Sequence, residues 1–118
     1  MGDELVLADD VLTAVAADVL SAWQRNHGTE NGRAHTVVGP EEIVVVIEDA
    51  FSRGELALAA QQPDDPLFAR YVQQLLQHVC TEQRARLAVA TGRPVVSTGV
   101  TTDPAAGWAI CFFKLGKR

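Results

Sequence analysis

The chain repeats one pattern. Residues 10–48 read as a long amphipathic helix, a strand, a Gly-Pro turn and a second strand, and residues 66–115 read as the same series again. In the first copy Leu12, Val15, Ala16, Val19, Leu20 and Trp23 follow the i, i+3/i+4 spacing of one apolar helical stripe. Asp9 or Asp10 is placed to cap its start, and Gln24, Arg25, Asn26 and Gly28 end it. Arg33–Val38 then alternates, Gly39-Pro40-Glu41-Glu42 turns, and Ile43–Ile47 is a β-branched run. Two strands joined by four turn residues predict an antiparallel hairpin.

In the second copy Asp65 is read as the N-cap and Pro66 as the first helical residue, the preferred order at a helix start. Leu67/Phe68, Tyr71, Val72, Leu75, Leu76, Val79, Gln83, Leu87 and Ala90 form its stripe, and Gly92 closes it. Pro94–Thr101 is the third strand, Thr102–Gly107 the turn, and Trp108–Leu115 the last strand. Between the copies, Ser52-Arg53-Gly54-Glu55 has the spacing of a capping box. It opens a short helix, Arg53–Ala60, with Leu56, Ala59 and Ala60 facing inward. The predicted fold is therefore α+β: a duplicated helix-strand-strand arrangement, αββ-α-αββ, with a single four-stranded antiparallel sheet and the long helices packed on one face. One domain spans residues 1–118, with residues 1–8 expected to be disordered or loosely held.

The last strand sets a problem for such a fold. Trp108, Ile110 and Phe112 point one way, and Ala109, Cys111, Phe113 and Leu115 the other. A strand with one face in water alternates apolar with polar, whereas this one is apolar on both faces. With helices on one side only, the second row needs a cover. The expectation is a homodimer or a docked protein, with Trp108, Ile110, Phe112 and Phe113 as interface candidates.

Composition narrows the function. Hydrophobic residues make up 47% and charged residues 21%, which is globular rather than disordered. A net charge of −5 speaks against nucleic acid, whose binding rests on neutralised phosphates. The basic residues Arg84, Arg86, Arg93, Lys114, Lys117 and Arg118 read as solvated helix and chain ends. No apolar run approaches the roughly 20 residues that span a bilayer, so direct membrane insertion is not expected. The acidic start Met1-Gly2-Asp3-Glu4 is unlike a secretory signal, and Val6 stands where myristoylation prefers Ser or Thr. Cys80 and Cys111 lack CxxC spacing and read as small core residues of a cytoplasmic protein.

Catalytic and metal chemistry find no pattern to rest on. His27, His35 and His78 are isolated from one another and from cysteine at ligand spacing, so no metal or cofactor is expected. The acidic pairs Glu41-Glu42, Glu48-Asp49 and Asp64-Asp65 fall at turns or helix starts, and Ser52 lacks a GxSxG elbow. Catalytic residues are therefore none. A small-molecule site or an unrecognised enzyme centre on the Gly28–His35 loop stays open, built from Gly28, Arg33, His35, Glu48 and Asp49.

The order of short motifs resembles a known family. Gly32-Arg33-Ala34-His35 enters a strand, Ile47-Glu48-Asp49 ends the next, and Phe51-Ser52-Arg53-Gly54-Glu55-Leu56 follows. Thr91-Gly92-Arg93 precedes the third strand and Cys111-Phe112-Phe113-Lys114-Leu115 ends the fourth. Over residues 10–115 this series is similar to the MpsC family of small bacterial proteins, named after a sodium-translocating, membrane-potential-generating system. Ile47-Glu48-Asp49 takes the place of the family's LED, Ser52 and Glu55 its Thr and Glu, and Thr91-Gly92-Arg93 its TGR. The family's GxGP loop is replaced by Gly28-Thr29-Glu30, and Ala50-Phe51 stands for Gly-Leu. The resemblance implies a soluble accessory protein partnered with a membrane component that handles ions or bicarbonate; with no catalytic constellation and an apolar last strand on both faces, the expectation is a non-enzymatic accessory or regulatory module that binds a protein.

Overall fold

The computed structural model describes residues 7–61 and 66–117. The chain order is α1 (Asp9–His27), β1 (Arg33–Val38), β2 (Glu42–Glu48), α2 (Arg53–Gln61), α3 (Pro66–Thr91), β3 (Val95–Asp103) and β4 (Trp108–Leu115). The expected α+β fold is present, and α3 is one unbroken helix of 26 residues. The strands form one sheet in the order β1-β2-β4-β3, antiparallel throughout. That order is what duplication produces. Each hairpin is a unit, and the units meet through β2 and β4, with Val45 opposite Cys111 in the middle of the seam.

Strand alternation decides where the core sits. Ile43, Val45 and Ile47 of β2 and Ala109, Cys111, Phe113 and Leu115 of β4 are all buried under the helices. Val15, Val19, Ala22 and Trp23 of α1 and Val72, Leu76, Val79, Cys80 and Leu87 of α3 meet them from above. The aliphatic stripe of each helix thus faces the aliphatic row of its strands.

Several local expectations differ from the structure. The residue before α1 is Ala8, which offers no side-chain cap; Asp9 and Asp10 lie inside the first turn, where carboxylates favour the helix dipole. Leu67 and Tyr71 at the start of α3 are exposed, as is Ala90 near its end. α2 buries no residue completely: Leu56 packs partly on the core, while Ala60 faces outward. The expected cap Asp65 lies outside the described residues.

Candidate functional site

Among the described residues the helices pack on one side of the sheet, which leaves the alternate residues of each strand on an open face. Cross-strand register builds this face in rows. Arg33, Glu48, Trp108 and Asp103 form the first row, and His35, Val46, Ile110 and Thr101 the second. Val37, Val44, Phe112 and Gly99 form the third, and Glu42, Lys114 and Ser97 the fourth. The middle rows are apolar, with Val37 exposed and Val44, Val46, Ile110 and Phe112 half-buried. Trp108 extends the strip at one end. Gly99 lies opposite Phe112, whose ring atom Cδ1 stands 4.0 Å from where a Cβ on the glycine would be.

Both ends of the strip carry one cation between two carboxylates. Arg33 Nη2 lies 3.0 Å from Asp49 Oδ2 and 3.5 Å from Glu48 Oε2. At the other end Lys114 Nζ lies 3.0 Å from Glu41 Oε2 and 3.5 Å from Glu42 Oε2. The hydrogen bond from Lys114 holds the Glu41 carboxyl below its usual range, and the same bond raises the Lys114 ammonium. These groups frame the apolar strip and keep its margins charged.

Of the four interface candidates, Trp108, Ile110 and Phe112 lie on the open face. Phe113 belongs to the helix-covered face and is fully buried, so it holds the core together instead. The five candidate ligand residues do not converge. Gly28 is the left-handed C-cap of α1, with φ 74° and its N–H donating to the Gln24 carbonyl at 2.9 Å. Arg33, Glu48 and Asp49 share a shallow depression of about 410 Å³ with Val46, Trp108 and Ile110. His35 lines a different depression, against Leu12, Ala16 and Leu20 of α1. Asp49 adopts φ 52°, the left-handed conformation that aspartate tolerates, and this aims its carboxylate back at Arg33.

Sequence reasoning missed one buried polar cluster. His27 Nε2 lies 2.9 Å from Glu55 Oε1, and its ring stacks on Trp23 at 4.3 Å and 15°. Phe51 meets both rings edge-on, and Trp23 Nε1 donates to the Ala50 carbonyl at 3.0 Å. The capping box is formed as expected: Ser52 N–H donates to Glu55 Oε1 at 2.8 Å and Glu55 N–H to Ser52 Oγ at 3.2 Å. What the sequence did not reveal is that His27 at the end of α1 shares that carboxylate. A contact across 28 positions leaves no local spacing to read.

Cys80 and Cys111 are free and fully buried, and hydrogen bonding to Cys80, followed by burial, pushes the Cys111 thiol well above its ordinary range. A thiolate is disfavoured there. Among the described residues no group of His, Cys, Asp and Glu is placed to hold a metal ion, and no helix is long and apolar enough to cross a membrane. No family model, no curated protein and no solved structure matches the chain.

Proposed function

We propose that this chain is a non-enzymatic accessory or regulatory module that acts by binding protein through the open face of its sheet, and that it pairs with a second copy as a homodimer. One observation carries the reading: among the described residues no helix lies over the strip of Val37, Val44, Val46, Ile110, Phe112 and Trp108. Contiguous apolar surface of this kind on a small domain marks an interaction site. A twofold arrangement is the commonest way for a chain to cover such a face with itself.

The resemblance to the MpsC family names the further partner by class, a membrane component of a bacterial ion- or bicarbonate-transport system, with this chain on the cytoplasmic side. The alternative reading, a small-molecule site on the Gly28–His35 loop, loses support because Gly28 serves as a helix cap and His35 lines a different depression from the one that Arg33, Glu48 and Asp49 share.

Sedimentation equilibrium at micromolar concentration tests the dimer, which should bury about 1,000 Å² or more in total. A monomer would end the self-pairing claim. Affinity capture from the native host, read by mass spectrometry, tests the partner class. Recovery of metabolic enzymes alone would end the transport reading.

A further inference from the structure

The two ends of the open strip differ in charge. At one end the strand register sets Trp108 directly between Glu48 on β2 and Asp103 on β3, and Asp49 follows Glu48. Glu48 and Asp49 are exposed, and Asp103 Oδ1 accepts the Ala106 N–H at 3.1 Å. Among the described residues that form this row and line the depression beside it, Arg33 is the only cation, so the Trp108 end has an acidic excess. At the other end Lys114 meets Glu41 and Glu42, and the charges of Lys117 and Arg93 also act on Glu41, which leaves no such excess. Between them Val44, Val46, Ile110 and Phe112 form the apolar track. From Trp108 to Phe112 it runs about 13 Å along β4, close to two and a half turns of an α-helix.

Resting on the open-face reading above, we propose that this face receives a basic amphipathic helix of a partner protein, with an arginine of that helix laid over Trp108 among the carboxylates. The apolar stripe of such a helix lies along the track, as in helix-in-groove recognition. An arginine at its end matches what stands there, since a guanidinium stacks on indole and forks onto carboxylates. A second copy is the poorer match at this end, because its Arg33 and its Lys114 each already lie between two carboxylates. A lipid surface is the wrong match, because the cytoplasmic leaflet is anionic and the chain carries a net charge of −5. Segments flanking membrane spans on the cytoplasmic side are rich in Lys and Arg, so the transport partner proposed above has helices of this chemistry to offer. Helix and second copy use the same face and exclude each other. Self-pairing is then the resting form, and the partner displaces it.

Fluorescence anisotropy of a labelled synthetic peptide on the full chain tests this. The probe is an amphipathic helix of about 16 residues with leucines at i, i+3, i+4 and i+7 and a pair of arginines in its last turn. Its twin carries glutamates in place of the arginines. The arginine peptide should bind with a dissociation constant of about 100 µM or tighter, and the glutamate twin about tenfold more weakly. Salt at about 0.5 M should close most of that gap. The double variant Glu48→Gln/Asp49→Asn, at exposed positions, should lose about tenfold for the arginine peptide and nothing for its twin. Phe112→Lys should lose both peptides, and saturating arginine peptide should turn the dimer into a monomer on sedimentation. The proposal is overturned if the two peptides bind equally, if either variant binds the arginine peptide as wild type does, or if neither peptide binds. A dimer that ignores both peptides ends the helix partner and leaves self-pairing on the open face standing. A monomeric chain that still prefers the arginine peptide does the reverse.

Discussion

His27 and Glu55 share one hydrogen bond of 2.9 Å, and it joins the end of α1 to the start of α2. The carboxylate can only accept, so Nε2 carries the proton between them. Nδ1 on the far side of the ring is buried with no hydrogen-bond partner among the described residues. Because α2 buries no residue completely, its attachment rests on this bond, on the capping box beside it and on the partial packing of Leu56.

Ser52→Ala should therefore cost on the order of 1 kcal/mol, the usual cost of a lost N-cap. Glu55→Ala should cost more, since it leaves the Ser52 amide and His27 Nε2 without their shared acceptor. Urea unfolding of the two variants beside wild type measures both. If Ser52→Ala melts unchanged while partner binding disappears, Ser52 is a contact residue and not a cap.

The same carboxylate gives a pH dependence. Burial raises the Glu55 pKa, but hydrogen bonds from the Ser52 backbone, from His27 and from the Ser52 side chain outweigh it, and the net direction is down from 4.5. A folded-state pKa below the unfolded one means stability that is present in full above 4.5 and is lost as pH falls through the folded value. The gap in melting temperature between wild type and Glu55→Gln should accordingly be widest near neutrality and close on acidification. A gap that widens below pH 4.5 would show that the sign is wrong.

The fold was legible because period and punctuation agree along most of the chain. The stripe from Leu12 to Trp23, the β-branched run Ile43–Ile47 and the Gly39-Pro40 turn each have one local solution, and together they have one fold. Exposure at the start of α3 was not legible. Leu67 and Tyr71 keep the helical spacing, but the inward side of this turn is taken by Phe68 and Val72, one position further round the helix. The open face was half legible. The alternation of Trp108, Ile110 and Phe112 against Phe113 separates two faces, but only the sheet order reveals which one the helices leave bare.

Two glycines separate strain from space. Gly28 has φ 74° with nothing within 4 Å of an added Cβ, so Gly28→Ala should cost about 1 kcal/mol for the left-handed backbone alone. Gly32 has φ 122°, and its added Cβ would lie 2.9 Å from Leu20 Cδ1. The end of Leu20 can swing away, but that φ is open essentially to glycine only, so Gly32→Ala should cost about 1–3 kcal/mol. Chemical unfolding of the two variants should rank Gly32→Ala as the more damaging. The reverse order would mean that the entry to β1 relaxes freely.

Neighbouring phenylalanines on β4 give the sharpest test of the proposed interface. Phe113 is 0% exposed beneath the helices, opposite Ile43 on β2 and Thr98 on β3. Phe113→Lys would bury an unpaired ammonium and open a cavity, so it should remove several kcal/mol and leave little folded protein at 25 °C. Phe112 is one residue away on the other face, half-buried opposite Val44 and Gly99. Phe112→Lys keeps its ammonium in water in the isolated chain and places it against apolar surface only when a second face closes over it. Its melt should stay within about 1 kcal/mol of wild type, read at a concentration where wild type is monomeric, while sedimentation shows the dimer lost. If Phe112→Lys dimerises as well as wild type, the open face is not where the copies meet.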